Sequence, residues 1–369
     1  MLDGVSNERH FHTRALALRL LFWLSTNNGR CAYLVKQLEP TASRWCIIVA
    51  DDHRTDRAIG LERHSAPVQY CRLGEGATLL QRALHRAAAI APSSQVLISA
   101  SEEYRGLWEP SVWGIRPEKR FVCEGSKGLQ LSVAAAILSA AARSTSDIIT
   151  ILPARCHVAH ESILRRALNF ALAELPGIPE GVVTLGMLDP EQVVDEDYLL
   201  VGRARAGRAL RVDGFARKPV PWVARRLRQH GALVASGILI GYAGVFAAHI
   251  SKHWPGVSKK LMQLIVAAAA RGEECKIPSL VNKGDPPALP ESLRWRPSAF
   301  RQRVIGVCHS GWSGLKSPQA VARMVEFLCR SGEAEMAGGL RAHKVDDETE
   351  RDEASSMRRE AHAGLSHIE

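Results

Sequence analysis

The sequence predicts an α/β fold: a doubly wound, mostly parallel sheet carrying an inserted β-hairpin region. Three observations predict it. Short, wholly apolar runs such as Cys46–Ala50 lack polar alternation, as strands buried on both faces do. Helical patterns separate these runs in a βαβα rhythm, which a parallel sheet with helices on both faces requires. After residue 190 the rhythm breaks into two short strand patterns joined by a turn-rich stretch.

The elements follow in order. Cys46–Ala50 is the first strand. Thr78 is placed to cap a helix whose apolar stripe runs through Leu79, Leu80, Ala83, Leu84 and Ala87, ending before Pro92. Val96–Ala100 is the next strand, and Leu129–Ala142 an alanine-rich helix with Ser132 exposed or near its start. Ile148–Leu152 is a strand stopped by Pro153, Glu161–Leu175 an amphipathic helix, and Val182–Met187 a strand again. Tyr198–Gly202 and Leu210–Phe215 form the hairpin. Val220–His230 is a helix bearing Arg225, Arg226 and Arg228; a strand at Ala235–Tyr242 and a helix at Val245–Lys252 follow.

Composition narrows the class. With 369 residues, 46% hydrophobic and 23% charged, the chain is an ordinary globular protein. Its domain is expected at 43–329, between a partly disordered extension at 1–42 and a disordered charged tail at 330–369. The net charge is +10, yet residues 331–369 hold ten acids against five Lys/Arg. The body is therefore strongly basic and suits anionic ligands such as nucleotides, sugar phosphates or nucleic acid. A sequence-specific nucleic-acid reader is unsupported, since zinc-finger spacing and aromatic RNA-binding motifs are absent and aromatics reach only 6%. Eight scattered cysteines with no C-x-x-C indicate reduced thiols in a cytoplasmic protein and no zinc site. The apolar stretch at 14–25 is shorter than the roughly 20 residues that a membrane span needs.

The chemistry-bearing stretches come in a telling order. ADDHRTDR (50–57) follows the first strand, then GLER (60–63), PVQY (67–70) and GEGATLL (74–80). EGSKGLQLSVAAAI (124–137), ILPARCHV (151–158), VVTLGM (182–187) and DEDYLLVG (195–202) come next. VDGFARKP (212–219), GALVASGILIG (231–241) and GWSGLKSP (311–318) complete the series. Over roughly residues 45–328 this series resembles the sugar-1-phosphate nucleotidyltransferases, most closely the mannose-1-phosphate guanylyltransferases (GDP-mannose pyrophosphorylases). The resemblance lies in the order and spacing of the motifs more than in any one of them. It implies a nucleotide-diphospho-sugar transferase-like, Rossmann-like fold.

The resemblance also implies a reaction: attack of mannose 1-phosphate on the α-phosphorus of GTP, giving GDP-mannose and pyrophosphate. Such a transfer needs positioning and charge neutralisation, from a glycine loop, cationic side chains and a divalent ion held by carboxylates. Here those letters have changed. The loop glycines of the family are Asp51 and Asp52, its P-K-Q lysine is Val68, and its L-P-x-D and W-S-D carboxylates are Arg155 and Gly314. What matches the family's ligand contacts is Arg57, Arg63, Lys127, Lys218 and Ser236, with Lys218 at the place of the sugar-phosphate lysine.

Two readings follow from these matches. One is a degenerate guanylyltransferase-like pseudoenzyme with no catalytic residue or metal site, binding GTP, GDP-mannose, a sugar phosphate or an active paralogue. The other is an active, divergent nucleotidyltransferase of nucleotide-sugar or polysaccharide biosynthesis, using Mg²⁺ on Asp51, Asp52 or Asp147.

Overall fold

The computed structural model describes residues 42–50, 67–72, 76–124, 129–188, 196–202, 209–278, 301–315, 320–324 and 326. Asp51, Asp52, Arg57, Arg63 and Lys127 lie outside the described residues, as do nearly all of the N-terminal extension and the whole charged tail. The strands are β1 (Arg44–Val49), β2 (Val96–Ser101), β3 (Arg120–Cys123), β4 (Ile148–Pro153) and β5 (Gly181–Met187). They continue with β6 (Tyr198–Val201), β7 (Leu210–Ala216), β8 (Leu233–Tyr242), β9 (Cys275–Ile277) and β10 (Arg301–Val307). The helices are α1 (Leu79–Ala88), α2 (Arg105–Trp108), α3 (Leu129–Ala141), α4 (Glu161–Glu174), α5 (Pro221–Gln229), α6 (Ala243–His253) and α7 (Pro255–Arg271).

All ten strands share one sheet in the order β5-β10-β7-β6-β8-β4-β1-β2-β3-β9. β4, β1, β2, β3 and β9 run parallel. β8 runs antiparallel to β4, β5 and β6, while β6 pairs antiparallel with β7. The sheet is therefore mixed, where the sequence predicted a mostly parallel one. The hairpin makes it so: β6 and β7 run antiparallel, and β8, which follows β7 through α5, pairs antiparallel with both β6 and β4.

Two apolar layers enclose the sheet. One face packs α1 and α4 around Ile48, Leu80, Ile98, Leu152 and Leu168, and the other packs α3, α6 and α7 around Ile47, Leu97, Ile137, Phe246 and Leu261. Every residue of β2 and of β5 is buried, which accounts for letters that are apolar or small apart from Thr184. α1 begins as predicted: the Thr78 hydroxyl accepts the Gln81 N–H at 3.2 Å while Gln81 Oε1 accepts the Thr78 N–H at 2.8 Å. Ser132 is not exposed. It is buried in α3, and its hydroxyl bonds that of Ser99 on β2, tying helix to sheet. α7 was not anticipated, although Pro255 opens it and Gly272, at φ 66°, closes it in the left-handed conformation.

Candidate functional site

The site begins where β1 and β4 end. Parallel strands present their carboxyl ends together, and open α/β sheets bind ligands there. The Ala154 N–H still bonds the Val49 carbonyl at 2.8 Å, so the chain leaves β4 held against β1. It then pairs with a distant segment. His157 and Ser313 exchange N–H···O bonds of 2.9 and 3.0 Å, and the Ala159 and His160 N–H groups bond the carbonyls of Gly311 and Ser310. That pairing sets positions 155 and 314 on adjoining segments, one residue apart in register. These are the two positions where the resemblance implies a pair of metal carboxylates.

Neither side chain there is acidic. Arg155 is buried. At Gly314 a Cβ would collide with Oε1 of Glu196 and stand 2.9 Å from the Trp312 ring. No side chain fits without moving Glu196. The glutamate is only 4% exposed and comes from the segment just before β6. A carboxylate thus occupies the space of residue 314, supplied by a different part of the chain.

The next residue ties down the opposite wall. Asp197 is buried, and its Oδ1 accepts the Lys218 N–H at 3.1 Å while its carbonyl accepts the Ala235 N–H at 2.8 Å. Lys218 has φ 35°, a left-handed conformation that is uncommon in a lysine and that this bond holds. Its side chain is exposed. Among the described residues the other non-glycines with positive φ are His309 and Leu315, and both flank the paired segment. Backbone strain in this protein gathers where the candidate site lies.

Two predicted positions serve the interior. Ser236 is buried, its hydroxyl donating to the Leu185 carbonyl at 2.6 Å and accepting the Ile238 N–H at 3.1 Å. It bridges β8 to β5 rather than offering its hydroxyl to a ligand, because Gly237, at φ 78°, turns the strand and leaves those backbone groups to satisfy. Val68 is buried with Leu79, Leu315, Val321 and Met324. Where the resemblance implies a lysine, the chain has a residue of a small apolar cluster.

Asp147 is also corrected. It precedes β4, at the end of the sheet away from Ala50, and accepts bonds from Ser43 N–H at 3.0 Å and Trp45 Nε1 at 2.8 Å. A strand of six residues spans about 20 Å, so Asp147 cannot share a metal with a residue that follows β1. Among the described residues no group of three or more His, Cys, Asp or Glu is placed to hold a metal ion.

Cys156 and His157 face a basic helix. The Cys156 carbonyl accepts from Arg86 Nη1 at 3.3 Å, and Arg86 Nε binds both Glu161 oxygens at 2.8 and 3.0 Å. Burial pushes the Cys156 thiol up, away from nucleophilic character. His157 is 1% exposed with neither ring nitrogen hydrogen-bonded. Burial, with the charges of Arg82 and Arg86, pushes its pKa down to about 4.

No family model matches the chain, and no curated protein matches it. Solved structures do. It is similar to a protein described as mannose-1-phosphate geranyltransferase from Thermus thermophilus, with TM-score 0.57 and 22% identity over 76% of this chain and 79% of that one. It is also similar to one described as mannose-6-phosphate isomerase from Helicobacter pylori, with TM-score 0.51 and 17% identity over 73% of this chain and 99% of that one. The chain shares the α/β fold of these two structures. Within that fold, sequence reasoning missed Glu196 and Asp197. The available signal was an acidic pair directly before an apolar strand, where solvated charge is not expected. No helix among the described residues is long and apolar enough to cross a membrane.

Proposed function

We propose that this protein binds a nucleotide sugar or a sugar phosphate at the carboxyl ends of β1 and β4, and does not catalyse guanylyl transfer to mannose 1-phosphate. One observation carries the reading: positions 155 and 314, side by side, hold a buried guanidinium and a glycine. Arg155 brings no metal-binding oxygen to the place where the resemblance implies a carboxylate, so a metal-bridged triphosphate is disfavoured there. Exposed Lys218 supplies positive charge to a phosphate. The product-like ligand is GDP-mannose, and an active paralogue is the protein partner such a subunit would serve. Unpaired cysteines among the described residues fit a cytoplasmic setting.

A coupled pyrophosphate assay with GTP, mannose 1-phosphate and Mg²⁺ tests the catalytic half. Background rate is expected, and turnover of about 1 s⁻¹ or more, the ordinary enzyme range, overturns it. Calorimetric titration with GDP-mannose and with mannose 1-phosphate tests the binding half. Heat with at least one is expected, weakened in Lys218→Ala; silence from both in a folded sample sinks it.

Glu196 favours a second reading. Its carboxylate fills the space at 314, and in an active enzyme it would hold the divalent ion from there, together with Asp51 or Asp52. On that reading the assay shows turnover, and Glu196→Gln abolishes it.

A further inference from the structure

A second cleft lies at the other end of the same strands. The segments entering β4, β1, β2 and β3, which are neighbours in the sheet, enclose a cavity of about 560 Å³. That is within the roughly 300–1,000 Å³ of small-molecule sites. Its walls are polar. Lys119 comes from the turn before β3, Ser94 and Gln95 from the turn before β2, and Arg143, Ser146 and Asp147 from the link between α3 and β4.

The charged groups of this cavity are held in different ways. Asp147 is already bound by the Ser43 N–H and the Trp45 indole. Lys119 is only 8% exposed, and its ammonium donates to the Ser94 carbonyl. No carboxylate among the described residues lies within ion-pair distance of it, and its neighbour Glu118 pairs with Arg116. Buried lysines are ordinarily paired, since an uncompensated buried charge is costly. Burial first, then the charge of Arg116, push the Lys119 amine down, with Glu118 partly offsetting them. An anion bound at Lys119 would supply the charge it lacks.

We infer that this cavity is a second ligand site that takes a sugar phosphate, with the phosphate on Lys119 and Arg143 and the hydroxyls on the serine and Gln95 side. The volume exceeds what a bare phosphate fills. The lining argues against a nucleotide, because its aromatic ring, Trp45, already carries the Arg143 guanidinium 5.2 Å from its centroid. The site is independent of the cleft at the carboxyl ends, about 20 Å away along the strands.

Titration calorimetry on the full chain tests it with three probes: glucose 6-phosphate, inorganic phosphate and glucose. Glucose 6-phosphate should bind with a dissociation constant of about 1 mM or tighter, phosphate more weakly, and glucose not at all. Lys119→Met should weaken glucose 6-phosphate at least about tenfold, the effect of losing a charged hydrogen bond, and Lys259→Ala, on the exposed face of α7, should leave it unchanged. Equal binding by Lys119→Met, or an equal loss in Lys259→Ala, would overturn the assignment. Phosphate binding as tightly as glucose 6-phosphate would overturn the sugar-phosphate class. Should Lys119→Met fail to fold, Arg143→Gln decides, with weakening expected and unchanged affinity refuting the site.

Discussion

The two ends of β1 and β4 treat buried charge in different ways. At the amino ends Asp147 meets donors from Ser43 and Trp45 on the adjoining strand, through bonds of 3.0 and 2.8 Å. At the carboxyl ends Arg155, Glu196 and Gly314 come from three segments far apart in sequence, and the glutamate fills the glycine's empty volume. The first arrangement locks the start of the sheet. The second gathers side chains from distant segments over strands that are mostly apolar. Buried charge is met by neighbouring donors at one end of these strands and by long-range packing at the other.

The largest effect should come from Gly314→Asp. Restoring the family's letter drives a side chain into Glu196 and sets two buried carboxylates together, so a loss of about 4 kcal/mol or more is expected in urea unfolding. Gly314→Asp combined with Glu196→Ala should recover much of it. No recovery would break the claim that Glu196 owns that space.

Next is Asp147→Ala, which strands the indole and amide donors and should cost about 3 kcal/mol in the same measurement. A loss no larger than that of an ordinary surface substitution would erase the contrast between the two ends.

The third concerns acid. The folded-state pKa of His157, about 4, lies below its unfolded value near 6.5. Between those values the unfolded chain binds the proton that the folded one refuses, so stability is full above about pH 6.5 and falls as pH drops toward 4. The shift corresponds to about 3 kcal/mol, and His157→Leu should flatten this part of the pH profile. An unchanged profile would mean that His157 takes its proton while folded.

Smallest on stability is Lys218→Ala. The side chain is exposed, so the melting temperature should not move, while affinity for GDP-mannose or mannose 1-phosphate falls. A lowered melting temperature with unchanged affinity would make Lys218 a structural residue.

Much of the fold was legible, and less of the site. Thr78 announced α1, and the alanines of 129–142 announced α3, because capping and periodicity are local signals. Val68 and Ser236 were picked out by the resemblance, yet packing places both in the interior. Val68 joined an apolar cluster with Leu315, far away in the chain, and Ser236 spent its hydroxyl on Leu185. Lys119 drew no notice, since a lysine in a turn before a strand looks solvated until the cavity around it is seen.

The sequence by itself determined seven of the ten described strands and most of the helices, while β3, β9 and β10 went unpredicted. Burial on both faces demands runs of apolar residues, and helix ends demand capping residues, whatever lies elsewhere in the chain. Only the tertiary structure decided that β8 runs antiparallel between β4 and β6, that residue 157 pairs with 313, and that Glu196 stands in the space of residue 314. Those outcomes depend on which distant segments share volume. Volume is settled by packing in three dimensions, where a missing Cβ in one segment admits a carboxylate from another.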